Sequence, residues 1–319
     1  MKRKGNLYSA IYDYNNIVSA YNEVCRNTKN KKKVEFFKEE KCIQIYKIYN
    51  TLKNEKYTVG PYNVFKIYEP KERRIVSQQM FDKVINHLIA RYILYPALLS
   101  CLVDFNVASR KDMGMKKGID LYIKYRKNFS IKYKNYYILK CDISKFFASI
   151  DHTILKNKLT KKIKDPKALK IVFDIIDSDK EGLSIGNMTS QILAIFYLND
   201  LDHFIKENLK IRGYIRYQDD FLLFHESKDY LKYYLNELTK FLEKEKLKLK
   251  LNTKTRIYKN TDNFIFIGRN KYGNYTKYRT VKRRLKKRNF LYKNNCIKLN
   301  SLVSSRLCYK NLCENKLKF

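Results

Sequence analysis

The chain has 319 residues, and 45% of them are hydrophobic, which makes a packed core feasible and argues against wholesale disorder. Lys and Arg number 68 against 31 Asp and Glu, and the resulting net charge of +37 predicts a polyanionic partner, most simply nucleic acid. An acidic membrane surface is the competing interpretation of this charge. The sequence lacks a run of roughly 18 consecutive apolar residues, so we predict no transmembrane helix and no membrane partner.

The N-terminus and the cysteines point to the cytoplasm. Met1–Asn6 is basic but leads into Tyr- and Asn-rich sequence rather than an apolar signal core. The seven cysteines form no Cys-x-x-Cys pair, and the four histidines form no His-Glu-x-x-His pattern. We therefore expect reduced thiols, structural histidines and no zinc site.

The first 135 residues read as helices with one hairpin. Residues 1–60 are basic and helical in pattern, and two short β-type runs, 64–68 and 73–76, flank a turn at Pro70. Apolar residues recur at helical spacing between Phe81 and Tyr95, which predicts a buried helix. Residues 109–118, with two glycines and many cations, are predicted to form a loop.

The order of predicted elements from residue 136 to 268 is strand, helix, helix, hairpin, helix and short strands. Helices segregated against an antiparallel sheet are typical of the α+β class. These elements are a strand at 136–143, a helix opened by Asp151 and His152, a loop at 182–186, a long apolar helix at 189–207, a hairpin at 214–224, a helix capped by Ser227 that ends near 247, and two or three strands within 248–267.

Three aspartates are the candidate catalytic residues. Asp142 lies near the end of the first strand, and Asp219 and Asp220 lie at the turn of the hairpin. Two-metal phosphoryl transfer uses divalent ions about 3.5–4 Å apart, and carboxylates that bridge both ions satisfy that need. Asp142 and Asp219 would hold the two ions, and Asp220 would be the auxiliary carboxylate of the site. Mg²⁺ is the expected ion because it prefers carboxylate oxygen, and Mn²⁺ is the alternative.

Five segments, in this order, resemble motifs of the reverse transcriptases. The first resembles the family's fingers hairpin, the second its first palm motif, the third its loop facing template and nucleotide, the fourth its double-Asp signature, and the fifth its primer grip. These segments are 70–75 (Pro-Lys-Glu-Arg-Arg-Ile), 141–152 (Cys-Asp-Ile-Ser-Lys-Phe-Phe-Ala-Ser-Ile-Asp-His), 182–191 (Gly-Leu-Ser-Ile-Gly-Asn-Met-Thr-Ser-Gln), 217–220 (Tyr-Gln-Asp-Asp) and 264–268 (Phe-Ile-Phe-Ile-Gly).

The resemblance covers roughly residues 60–315 and implies a right-hand polymerase fold. It implies an N-terminal extension with fingers at 1–135, a palm with a ferredoxin-like antiparallel sheet at 136–270, and a short basic helical thumb at 271–319. The implied activity is RNA-directed DNA synthesis by two-metal-ion nucleotidyl transfer. An RNA template, a DNA or RNA primer and dNTPs are the implied partners.

The resemblance also implies roles for individual residues. The Ile143 carbonyl is an additional expected metal ligand, and Phe147 is expected to stack under the sugar and exclude a 2′-hydroxyl. Nucleotide contacts are further expected from Lys71, Arg73, Ile185, Ser190, Gln191 and Lys254. Nucleic-acid contacts are expected from Tyr217, Phe266, Gly268, Lys282, Arg283, Arg284, Lys286, Lys287 and Arg288.

One segment is similar to the reverse transcriptases of diversity-generating retroelements. Most of the larger family carries Pro-Gln-Gly where this chain has Ser184-Ile185-Gly186, and here an Ile-Gly-Asn-x-Thr-Ser-Gln run follows instead. This resemblance implies error-prone copying of RNA, especially opposite template adenine, with a small basic accessory protein as partner. Ile185 offers shape but no hydrogen bonds, so polar discrimination of the nascent pair would be reduced.

Two alternatives remain open. A reverse transcriptase of antiphage defence shares the palm and makes non-templated or repetitive DNA. A non-catalytic RNA-binding protein derived from a polymerase is disfavoured because the three aspartates are present. A group II intron protein is disfavoured because little sequence follows the expected thumb.

Overall fold

The computed structural model describes residues 3–67, 73–110, 112–245, 247–270 and 278–314. It divides into two compact units, Met1–Phe65 with Arg74–Asp262, and Lys66–Arg73 with Asn263–Phe319. The predicted nucleotide contact Lys71 lies outside the described residues, as do the side chains of Arg73 and Lys282. The predicted domain limits at 135 and 270 stay a prediction.

The N-terminal region is helical, as the sequence predicts. Its helices are α1 (Tyr14–Asn27), α2 (Lys31–Glu39) and α3 (Lys41–Lys53). The Asp13 carboxylate accepts from the backbone N–H of Asn16 at 2.9 Å and caps α1. Strands β1 (Asn63–Ile67) and β2 (Arg73–Ser77) then pair in a two-stranded sheet, at the place where the sequence predicts a hairpin.

The predicted buried helix starts at Met80. It consists of α4 (Met80–Leu88), a wider π-helical turn over Ile89–Leu94, and α5 (Tyr95–Leu98). Within the described residues, Met80–Cys101 is the one helical stretch long and apolar enough to cross a membrane, but 61% of its apolar window is buried inside the fold. A core helix passes the same test, so this feature is weak evidence for a membrane span.

A four-stranded antiparallel sheet carries the candidate catalytic residues. It is formed by β3 (Tyr137–Asp142), β4 (Gly213–Tyr217), β5 (Asp220–His225) and β6 (Arg256–Lys259), in the order β4-β5-β3-β6. Leu139 and Cys141 are completely buried in the core on one face of β3. On β5, Phe224 packs against Tyr125 and Phe129 of α6 (Met115–Lys132), so aromatic side chains cover the opposite face.

The first unit contains further helices beside those already described. They are α7 (His152–Thr160), α8 (Pro166–Asp177), α9 (Met188–Tyr197), α10 (Asn199–His203) and α11 (Lys228–Lys240). As predicted, Asp151 caps α7, where its carboxylate accepts from Ile154 N at 3.0 Å. Ser227 caps α11 by accepting from Tyr230 N at 3.5 Å.

Three predictions of local structure were wrong. The apolar helix predicted at 189–207 is interrupted at Leu198, where ψ is 3°, and ends in a π-helical turn at Phe204–Asn208. The loop predicted at 109–118 ends at Gly114, because α6 starts at Met115 and buries Gly118. Among the described residues within 248–267, β6 is the one strand, because a turn at Thr253 and Lys254 ends the extended backbone that pairs at Leu251.

The second unit contains two helices after a tight turn. Phe266 and Arg269 form a β-bridge around the turn, and α12 (Tyr278–Lys293) and α13 (Leu299–Glu314) follow. The Arg288 guanidinium donates to the Ser301 hydroxyl at 2.6 Å and to the Ser301 carbonyl at 2.9 Å. These bonds join α12 to α13 and give Arg288 a structural role.

Candidate active site

Asp142 and Asp220 lie directly opposite each other on neighbouring strands. Asp142 ends β3, Asp220 begins β5, and the two residues are Cα partners in the antiparallel register. Side chains at such positions share one face of the sheet, with Cβ atoms about 4.5–5.5 Å apart. Tyr217 pairs with Asp220, so Gln218 and Asp219 form the two-residue turn of the hairpin. The fold therefore gathers the three predicted aspartates at one edge of the sheet.

The environment of Asp220 is desolvated and negatively charged. Its side chain is 28% exposed. Burial raises the pKa of Asp220 to about 6, and the charges of Asp142 and Asp219 act in the same direction. The Lys140 ammonium, which forms an ion pair with Asp220, opposes this shift. A cation at this position therefore relieves repulsion among the three carboxylates.

This donor set suits magnesium. Mg²⁺ is usually held by one or two carboxylates, with waters and substrate phosphates as the remaining ligands. Across the described residues, no group of three or more His, Cys, Asp and Glu side chains is arranged so that it could hold a metal ion by itself. An open pair of carboxylates with a third beside it matches the magnesium pattern, and Asp142, Asp219 and Asp220 are the residues that would hold the ions.

A short extended segment braces the end of β3. Asn252 N donates to Asp142 O at 2.7 Å, and Ser144 N donates to Lys250 O at 2.9 Å. Ile143, whose carbonyl is a predicted metal ligand, forms a β-bridge with Leu251 and has a buried side chain. Lys254 follows two residues after Asn252 and is exposed. Lys254, a predicted nucleotide contact, thus lies on the segment that runs alongside Asp142.

The turn after β3 presents Phe147. Lys145 adopts a left-handed φ of 46°, Phe146 enters the core, and Phe147 is partly exposed. Leu183 N donates to Phe147 O at 2.8 Å, which ties this turn to the 182–187 loop. Gly182 has a φ of +63°, and a Cβ there would lie 2.2 Å from Phe147 O, so glycine alone fits.

The 182–187 loop also contacts β2. Val76 N donates to Ile185 O at 3.5 Å, and a Cβ on Gly186 would lie 2.8 Å from Val76 O. Ile185 is partly exposed, so its side chain remains accessible beside β2. Further along, Gln191 is exposed and its Oε1 accepts from Ser109 Oγ at 3.3 Å. Ser190 is only 2% exposed, so its predicted contact with a nucleotide has no accessible surface here.

The predicted nucleic-acid contacts fall into two groups. Tyr217 is partly exposed, and in the second unit Arg283, Lys286 and Lys287 are exposed while Arg284 is partly exposed. Phe266 is completely buried, which leaves no ring surface for nucleic acid. Gly268 has a left-handed φ of +73° within the turn after Phe266, which explains the glycine there by conformation. At Phe266 and Gly268 of the predicted primer grip, only the backbone could therefore contact nucleic acid.

Sequence reasoning missed three residues of the site. Lys140 lies two positions before Asp142 on the same face of β3, and strand alternation was the signal that could have placed it there. Arg216 and Asp202 form a completely buried ion pair under the hairpin. A charged residue inside the apolar run of β4 was the available signal, because such residues are rarely buried unless paired.

The fold is that of the polymerase class, with the three aspartates at one edge of its antiparallel sheet. The family model for reverse transcriptase (RNA-dependent DNA polymerase) matches residues 66–271 of this chain. The chain therefore belongs to the reverse transcriptase family. No curated protein matches it significantly in sequence.

Two solved telomerase structures share the fold. The first, from Candida albicans in complex with a TWJ fragment of telomeric RNA, has a TM-score of 0.53 and 14% identity, covering 74% of this chain and 51% of that chain. The second is apo telomerase from Candida tropicalis truncated from its C-terminal domain. It has a TM-score of 0.50 and 16% identity, and the match covers 69% of this chain and 56% of that chain. The chain spans about half the length of these proteins, and the likeness concerns the polymerase fold.

Proposed function

We propose that this protein copies an RNA template into cDNA with low fidelity, as reverse transcriptases of diversity-generating retroelements do. The observation that carries the proposal is Ile185, an apolar and partly exposed side chain in the loop that contacts β2 through Val76. A polar side chain there would test the nascent base pair with hydrogen bonds, whereas Ile185 tests only its shape. A small basic accessory protein is a proposed partner, and the cytoplasm is the proposed location.

Each residue of the site would have its own role in nucleotide addition. Asp142 and Asp219 would hold two Mg²⁺ ions, with Asp220 beside them. The ions would supply activation of the primer hydroxyl and neutralisation of the leaving pyrophosphate. Phe147 would contact the sugar of the incoming dNTP and exclude a 2′-hydroxyl. Lys71 and Arg73 would bind the triphosphate, and Lys254 would donate a proton to the leaving pyrophosphate.

Primer extension with product sequencing tests this proposal. Purified protein is supplied with Mg²⁺, an RNA template of mixed sequence, an annealed primer and four dNTPs. The proposal predicts templated cDNA with errors concentrated opposite template adenine, and no product from Asp219→Ala/Asp220→Ala. Ile185→Gln should lower the error rate at adenine, while Ile123→Gln, an exposed change on α6, should leave it unchanged.

Each alternative has its own outcome in this assay. Faithful cDNA, or an error rate that Ile185→Gln does not change, would contradict the proposed fidelity mechanism. Non-templated or repetitive DNA would favour the antiphage-defence class. If no product forms, the assay is repeated with the accessory protein and the native RNA. Continued absence of product would favour the non-catalytic RNA-binding alternative.

A further inference from the structure

Arg216 is a completely buried arginine beneath the catalytic hairpin. Its Nε donates to Asp202 Oδ1 at 2.7 Å, and its NH2 group also binds the Asp202 carboxylate. Both side chains have no exposed surface. Tyr214 OH donates to the same Oδ1 at 2.6 Å. The Asp202 carboxylate on α10 is thus bound by two side chains of β4.

The same guanidinium reaches the turn that carries Asp219. Its NH1 group donates to Gln218 O at 3.0 Å, and its NH2 group donates to Ile195 O on α9 at 3.1 Å. The planar arginine fork fixes the directions of these donors relative to one another. The ion pair with Asp202 therefore fixes the guanidinium, and the guanidinium fixes the carbonyl of the residue before Asp219.

The turn needs such support because of its backbone conformation. Gln218 has a φ of 57°, in a two-residue hairpin turn where this first position usually holds glycine. Left-handed conformations of other residues persist when the surrounding structure holds them. Here Arg216 holds the carbonyl of Gln218, and Ser109 Oγ accepts from the Gln218 side chain at 2.7 Å.

The backbone of Arg216 is itself fixed from the other side. Arg216 N donates to Phe105 O at 2.9 Å, and Val107 N donates to Arg216 O at 3.0 Å. The segment from Phe105 to Val107 thus pairs with β4 at Arg216 and restricts the backbone of the arginine. A buried ion pair adds little stability compared with apolar residues of the same size. A hydrophobic replacement of Arg216 and Asp202 would therefore lose mainly the fixed position of the guanidinium donors.

We infer that Arg216 and Asp202 are positioning residues that set the place of Asp219 relative to Asp142. The inference rests on the proposed role of Asp219 as a metal ligand. It assigns to the buried pair a function in catalysis beyond holding the fold together. A displacement of the turn by about 1 Å would cost on the order of 100-fold in rate, because metal-assisted transfer depends on the positions of the ligands.

The test replaces all three buried polar side chains together, so that no buried charge is left unpaired. The variant is Asp202→Leu/Tyr214→Phe/Arg216→Met, and the matched control is Glu23→Leu/Arg91→Met, which removes an ion pair that does not touch the hairpin. Thermal unfolding, affinity for a template–primer, kcat for one nucleotide and the Mg²⁺ concentration for half-maximal rate are measured for each.

The inference predicts a folded variant with affinity for template–primer close to wild type, kcat lowered about 100-fold, and a higher Mg²⁺ requirement. The control should keep the wild-type kcat and Mg²⁺ requirement. A folded variant with unchanged kcat and unchanged Mg²⁺ requirement overturns the inference. If the triple variant does not fold, Arg216→Lys carries the test, since an ammonium cannot reproduce the fork. Wild-type kcat and Mg²⁺ requirement in Arg216→Lys would then overturn it.

Asp219→Ala separates failure of the inference from failure of the proposed function. If Asp219→Ala is inactive while the triple variant keeps full activity, only the positioning role is wrong. If Asp219→Ala itself keeps full activity, the proposed metal role of Asp219 is wrong. The positioning role of Arg216 and Asp202 is then wrong as well, because it depends on that metal role.

Discussion

Asp142 and Asp220 are cross-strand partners at the end of the β3–β5 ladder, and Asp219 immediately precedes Asp220 in the hairpin turn. This relationship places three carboxylates on one edge of the sheet, and the charges of Asp142 and Asp219 make the charge of Asp220 more costly. The Lys140 ammonium on Asp220 offsets part of that cost. A cation bound beside Asp220 would offset the rest of that cost.

The raised pKa of Asp220 predicts a pH-dependent effect of Asp220→Asn on stability without divalent ions. The pKa of about 6 in the folded protein lies above the ordinary value of 3.8. The charged carboxylate therefore destabilises the folded state above about pH 6, and this effect vanishes below the ordinary pKa. Asp220→Asn should raise Tm relative to wild type at pH 8 more than at pH 4.

Differential scanning calorimetry in EDTA measures this difference. Asp229→Asn on α11, an exposed carboxylate, is the control and should not show the same gain at pH 8. An equal change in Tm at both pH values for Asp220→Asn would show that the charge of Asp220 does not destabilise the fold.

Phe147 should control the choice of sugar. Phe147→Ala removes the partly exposed ring after β3, so ribonucleotides should be accepted about 10- to 100-fold better relative to dNTPs, as judged by the ratio of kcat/KM values. Phe173→Ala, at a partly buried ring on α8, is the control variant. An unchanged ratio in Phe147→Ala would assign the ring to packing alone.

Gly182→Ala should destabilise the protein by about 1–3 kcal/mol. The added Cβ would collide with the Phe147 carbonyl at 2.2 Å in a backbone conformation with positive φ. Gly268→Ala separates these causes, because Gly268 has a similar φ of +73° but nothing within 4 Å of its Cβ position. Urea unfolding should show a larger loss for Gly182→Ala. Equal losses would mean that conformation, rather than the contact with Phe147, requires the glycine.

The exposed cations of α12 should bind the nucleic-acid backbone without sequence specificity. Arg283→Gln/Lys286→Gln/Lys287→Gln should weaken binding of template–primer duplexes of different sequence to a similar extent. The slope of log K against log salt should fall by up to about 0.9 per lost phosphate contact. Fluorescence anisotropy at several salt concentrations measures both effects. An unchanged slope would show that these side chains are solvated and not in contact with phosphates.

The hairpin and its carboxylates could be predicted because their signals are local. Two short apolar runs and a polar turn mark the strands around Asp219, and a similar short run marks the strand before Asp142. The α+β class and the capping roles of Asp151 and Ser227 follow from similarly short patterns. These are the parts of the fold for which neighbours in sequence are also neighbours in space.

The supporting contacts could not be predicted because they join distant elements. Arg216 pairs with Asp202 on another element, and its position in an apolar strand does not indicate which acid lies beneath it. The break at Leu198 lies where the apolar run of α9 ends, directly before Asn199 and Asp200, and the apolar spacing resumes at Leu201, so periodicity alone does not mark it. Ser190 and Phe266 match motif positions yet are buried, since a motif specifies residue types and not exposure.

The most direct test of the central claim is incorporation of a single dNTP on an RNA template by wild-type protein and by Asp142→Asn, with Mg²⁺ present. Asp177→Asn, which changes a partly exposed carboxylate on α8, is the control. We predict that Asp142→Asn lowers kcat about 1000-fold or more, which corresponds to about 4 kcal/mol of lost transition-state stabilisation, while Asp177→Asn stays within about twofold of wild type. Wild-type kcat in a folded Asp142→Asn protein would contradict the assignment of this sheet edge as the catalytic site.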